Sequence, residues 1–210
     1  MRICAGALIL AITASTIGCT EPTQQQPASV NNISGKPLMI KDLALGQKYE
    51  EKSFPKILFQ IGETISFKYD YFGQEQVVKA SLNADQVIYS YEILFRGDLT
   101  DLRTAIEQKV SSENGNEVRF SCTTDENKLG GMDWENKSCQ IVSGTQILLV
   151  EENKPVSEKP SSISPSTWEV MHMGKLLLED SSLAASNSNR LENETRQKLE
   201  EDKANSMKDV

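Results

Sequence analysis

The chain has 210 residues and a formal charge of −8, from 22 basic and 30 acidic side chains. An acidic body repels nucleic acid and anionic lipid head groups, which removes both from the candidate partners. Hydrophobic residues make up 38% of the chain, the content of one modest domain. In chain order, Met1 and Arg2 give a short cationic start, and residues 3–17 carry no charge and are rich in Ala, Leu and Ile. This run is too short for a membrane span and closes on small residues, the layout of a secretory signal over residues 1–18.

The signal ends in Thr16-Ile17-Gly18-Cys19. These four residues resemble the lipobox of bacterial lipoproteins, with Thr16 standing where Leu is usual. The resemblance implies cleavage before Cys19 and lipidation of Cys19 as the first mature residue. Several acyl chains, at about 0.8 kcal/mol per buried CH₂, hold such a protein stably in a bilayer. Thr20, rather than Asp, follows the cysteine, which implies sorting to the outer membrane with the domain facing the periplasm. Ordinary secretion, with cleavage near Thr13 and Ser15, and a buried helix are the competing readings. Losing residues 1–18 removes only Arg2, so −8 less that one positive charge gives −9.

With Cys4 gone and Cys19 lipidated, Cys122 and Cys139 remain. An even remainder in an exported chain reads as one disulfide, the alternative being two free buried thiols. Residues 20–34 are polar, with two prolines and no apolar periodicity. With Cys19 and Gly35 they form a flexible tether over 19–35, spanning roughly 20 Å on average.

The domain is expected over 36–180. A short helix after Gly46 is predicted through Lys52, before the Phe54-Pro55 break. Ile65, Phe67, Tyr69 and Tyr71 alternate with polar residues as a half-buried strand, and Phe72-Gly73 can turn it. Residues 77–82 and 87–95 supply two more strands of an antiparallel meander. Asp98 or Thr100 can cap a helix in which Leu102, Ala105, Ile106 and Val110 recur at helical spacing, closed by Asn114-Gly115-Asn116. Val118, Phe120 and Cys122 alternate again, and 145–151 reads as another strand. Prolines 155, 160 and 165 mark 152–167 as a surface loop with no place in a central strand. Residues 168–171 and 175–179 form a last apolar pair. From 181 to 210 the pattern is a polar, solvated or frayed helix, since its Leu and Met residues fall eight apart and drift around the axis. A partner-binding helix is the alternative for this tail. The fold class is α+β: an antiparallel sheet with one or two short helices packed on it and a polar C-terminal helix.

The segment between the paired cysteines, 123–138, is the one stretch with a hint of site chemistry. Asp125, Asn127 and Gly130 match the first ligand places of a calcium loop, but Leu129 and Asn136 break the pattern, which leaves an acidic surface loop as the favoured reading. Trp134 on that loop is a candidate anchor for a partner, or packs on its own sheet. His172 lies between two methionines, where strand alternation separates it from both. No catalytic motif, phosphate loop or metal-ligand spacing is present, so no catalytic residue, metal or cofactor is assigned.

The run Asp42-Leu43-Ala44-Leu45-Gly46-Gln47 is similar to the entry of small periplasmic lipoprotein domains. The family is that of the smallest lipoprotein of the outer-membrane β-barrel assembly machine. That resemblance implies a short helical segment before an antiparallel sheet and a scaffolding role. The expectation is an outer-membrane lipoprotein, held to the membrane by its lipid and binding another envelope protein. An envelope hydrolase using carboxylates gathered by the fold is the rival reading.

Overall fold

The computed structural model describes residues 33, 36–54, 56–71, 73–129, 131–156, 164 and 171–206. Cys19, the signal, most of the tether and Trp168 lie outside the described residues. Ile33, read as tether, belongs with the domain: its N–H donates to the Val142 carbonyl, and its side chain packs against the core.

Strands β1 (Met39–Ile40) and β2 (Leu43–Ala44) make a small hairpin. The helix expected after Gly46 is only a 3-10 turn at Glu51–Ser53. The backbone there is used by the sheet instead, with Gly46 and Tyr49 donating to the carbonyls of Ile88 and Gln86. Four strands follow: β3 (Ile57–Ile61), β4 (Thr64–Tyr71), β5 (Gln74–Leu82) and β6 (Ile88–Arg96). Helix α1 (Thr100–Asn114) then leads to β7 (Ser121–Leu129), β8 (Met132–Ser143), β9 (Gln146–Pro155) and β10 (Met173–Asp180). The chain closes on α2 (Ser181–Ser206). The eight strands from β3 onward form one antiparallel sheet in the order β3-β4-β5-β6-β10-β9-β8-β7. Two meanders therefore meet at their last strands, β6 against β10, and the α+β class stands.

Period-two alternation fills the inner face of this sheet. One cross-strand row runs Phe67, Val78, Ile93, Leu176, Val150 and Cys139, and all six are fully buried. The next runs Ile65, Ala80, Tyr91, Leu178, Leu148 and Ile141. Helix α1 lays Leu102, Ile106 and Val110 on this face, and Leu38, Ile40 and Leu43 cover the rest. Gly115 ends the helix in the left-handed region that spares glycine, with φ of 72°, and its N–H donates to the Ser111 carbonyl.

A buried ion pair fixes the start of α1. Arg103 reaches down to Glu152 on β9, and both residues are over nine-tenths buried. The other carboxylate oxygen of Glu152 accepts the Leu99 N–H at 3.2 Å. Leu99 sits directly on Gly174 of β10, where a Cβ would stand 2.2 Å from Leu99 Cδ1 and 2.7 Å from Cγ. This corrects the expected loop over 152–167: residues 152–155 complete β9, a strand flanked by β10 and β8. Strand pairing and the Arg103 partner outweigh the local charge and the proline signal, and Pro155 closes the strand at its edge of the ladder. Most of the remainder, 157–163 and 165–167, lies outside the described residues.

The segment 123–138 is likewise not a loop. It is a long β7–β8 hairpin that turns at Gly131, with φ of 82°. Asp125 and Asn127 lie two residues apart in an extended strand, roughly 7 Å from each other, and do not curl around an ion. Cys122 and Cys139 face each other in register with Cα atoms 4.0 Å apart, joined as a disulfide.

Two outcomes follow for stability. Glu152→Ala should cost about 3–5 kcal/mol in urea unfolding by leaving Arg103 buried and unpaired, and the double replacement Arg103→Met/Glu152→Leu should cost less than half as much. Reducing the disulfide, which closes a separation of 17 residues, should lower stability by about 3 kcal/mol. A thiol count on denatured, unreduced protein should find neither Cys122 nor Cys139 free.

Candidate functional site

Helix α1 does not cover the inner face completely. Between it, the β1–β2 hairpin and the β4–β5 turn lies an open cavity of about 460 Å³. Met39, Tyr71, Ala105, Ile106 and Val110 give it an apolar floor, with Lys41, Asp70 and Lys109 at the rim. A second hollow of about 420 Å³ continues along the same helix, past Tyr71 and Ala105, toward Gln76, Phe95, Asp98 and Asp101. The two share Tyr71 and Ala105, so they adjoin along the helix.

Each wall has a local cause. Ala105 is half-buried beside the buried stripe of α1, and its small side chain leaves the space that a Leu would fill. Tyr71 ends β4 on the inner face, 6.0 Å from the Phe95 ring. Lys41 occupies the turn of the β1–β2 hairpin at φ 57°, a conformation that favours Gly or Asn. From there its ammonium donates to the Asp70 carbonyl at 3.0 Å and lies 5.2 Å above the Tyr69 ring. Lys109 in turn donates to the Lys41 carbonyl at 3.0 Å. The two lysines thus tie hairpin, strand and helix together at the mouth of the groove. Beside it, Lys56 and Lys68 both hold Glu75, whose carboxyl they keep below the usual carboxylate range. The hydroxyl of Tyr69 is buried without a hydrogen-bond partner.

Asp98 accepts the Thr100 N–H at 2.6 Å, and hydrogen bonding from the Thr100 side chain together with that backbone bond holds its carboxyl below its ordinary value. A two-carboxylate hydrolase also needs an acid held protonated beside such a base. Burial does push the Glu179 carboxyl up, but Glu179 alternates with buried Leu178 and so faces away from the groove. Among the described residues no three His, Cys, Asp or Glu side chains are placed to hold a metal ion.

The residues singled out from sequence are not brought together here. Trp134 is half-buried on β8, in register with Asn127 and Pro155, and alternates with the inward Cys139 series; it stands on the outer face. The carbonyl of His172 accepts the Gly97 N–H at the start of β10. The groove residues were visible only as parts: Tyr71 as a strand end, Gly73 as a turn, Ala105 and Ile106 as a helix stripe. No family model, curated protein or solved structure matches the chain.

Burial pushes the Tyr71 hydroxyl up to about 12 from its ordinary value of 10.0. Between those values only the folded chain keeps the proton, so stability is intact below pH 10 and falls as pH rises toward 12. Tyr71→Phe should make that alkaline loss shallower in denaturant melts at pH 9, 10 and 11, leaving the remainder to Tyr91, whose hydroxyl burial also raises.

Proposed function

We propose that this chain is an exported lipoprotein, held in the outer membrane by lipid on Cys19, whose periplasmic domain binds another envelope protein in the groove beside α1. The Thr16-Ile17-Gly18-Cys19 sequence supports the address. The groove supports the activity, and one observation carries it: an apolar hollow beside Tyr71 and Ala105, rimmed by Lys41, Lys109 and Asp70, that adjoins a second, more polar one. The first hollow suits an apolar side chain of a partner segment, and the second, with Gln76, Arg96, Asp98 and Asp101 in its lining, suits the polar residues beside it. Openness along the helix, rather than enclosure, favours a protein segment over a small molecule. The role is non-catalytic and needs no cofactor.

Two experiments test the reading. Cys19→Ser should move the protein out of the membrane fraction and remove its lipid-dependent gel shift; unchanged recovery would contradict the anchor. A photo-cross-linker at Met39, in the groove lining, should trap one partner in intact cells, and Ala105→Arg, which fills the groove, should abolish that product. The same label at Asn127 on the β7 edge should trap nothing. A product that survives Ala105→Arg, or that forms equally from both positions, would contradict the groove.

A further inference from the structure

The β7–β8 hairpin and the end of β9 run out past the disulfide, and among the described residues of 123–138 none is buried. The two faces of this extension are built from different side chains. The side that continues the core holds 124, 126 and 128 on β7, 133, 135 and 137 on β8, and 152 and 154 on β9. Every one of these but Thr124 is charged. Most sit in ion pairs: Lys128 with Asp133 at 3.1 Å, Lys154 with Glu135 at 2.9 Å, and Glu152 with Arg103. The outer side holds 123, 125 and 127, then 134, 136 and 138, then 151, 153 and 155. Only Asp125 and Glu151 are charged there, and Glu151 is held by Lys175. The others are Thr, Asn, Ser, Trp and Pro. Solubility alone asks for mixed charge on both faces alike, so the division has another cause.

The outer side is also hollowed. A depression of about 520 Å³ crosses β7, β8, β9 and β10, with Asp125, Asn136, Ser138 and Asn153 in its lining. Asp125, Asn136, Asn153 and Met173 stand in one cross-strand row, with neighbours about 4.8 Å apart. Along β8, Ser138 lies one step to one side of Asn136 and Trp134 one step to the other, each roughly 7 Å away. Trp134 is half-buried opposite Pro155. The indole therefore marks one end of a polar grid, and Met173 and Leu94, 51% and 54% exposed, mark the other.

Amide and hydroxyl side chains offer donors and acceptors together, and an ionised Asp offers acceptors. Their match is an uncharged ligand dense in groups that both donate and accept. A ligand that also matches Trp134 has a flat apolar face. Sugar rings meet both conditions, with hydroxyls around the rim and C–H bonds on the faces. Polyanions are turned away by Asp125, Glu151 and the acidic body. Among the described residues no three acidic, His or Cys side chains converge here to hold a cation. We propose that the outer face of β7, β8 and β9 binds an oligosaccharide. One ring packs on Trp134, and the next enters the hollow among Asn136, Asn153 and Asp125. From Trp134 to Ser138 the strand covers about 14 Å, the reach of a short chain of rings. The site lies on the opposite face of the sheet from the groove and shares no residue with it.

The test is titration calorimetry of the full chain, purified in a detergent without a sugar head group. The probes are chitotetraose, cellotetraose, maltotetraose and mannotetraose. At least one should bind with a Kd below about 1 mM. Trp134→Ala and the double replacement Asn136→Ala/Asn153→Ala should each weaken that binding by about tenfold or more, and Trp134→Phe should keep most of it. Lys128→Ala on the charged side and Ala105→Arg in the groove should leave it unchanged. Failure of all four sugars at about 5 mM would overturn the site. So would wild-type affinity in both Trp134→Ala and the double replacement, or an equal loss in Lys128→Ala or Ala105→Arg.

Discussion

The buried contact between Arg103 and Glu152 is the constraint on which the rest of the molecule depends. It joins the first turn of α1 to β9, and its second oxygen holds the Leu99 backbone. Leu99 can settle on β10 only because position 174 has no side chain. A helix laid on a sheet by apolar side chains alone can rotate or slide at little cost, since burial is non-directional. A charge pair taken out of water is directional, and a misplaced helix would leave both ions unpaired. The pair therefore sets the position of Ala105 and Lys109 over Tyr71, and with it the width of the groove.

The sheet was legible in sequence where one face met the core and the other met water. Residues 65–71 and 87–95 alternate for this reason, and the stripe of Leu102, Ile106 and Val110 announced α1. Legibility failed where that contrast is missing. The β7–β8 hairpin runs beyond the core with polar residues on both faces, so it carries no period and resembles a loop. Strand β3 is short and apolar at every position but Gln60, so alternation cannot reveal it. Glu152 was hidden by its own charge and by Pro155 nearby, because its partner lies 49 residues away. The groove is assembled from the hairpin at Lys41, the strand end at Tyr71 and the helix at Ala105, and no local spacing links the three.

The faces of the sheet divide the work. The inner face holds the core and the groove, and the disulfide pins its far end where β7 and β8 leave the core. The outer face carries α2, the exposed Val77–Leu94 pair and the uncharged β3 edge.

Amide hydrogen exchange of α1 in Glu152→Gln, set against the unaltered protein, tests the governing role of the buried pair most directly. The substitution keeps shape and removes charge. Protection should fall across α1, most steeply near Arg103, while β4, β5 and β6 keep theirs. Unchanged protection in α1, or an even loss through the whole sheet, would contradict a helix held in place by this pair.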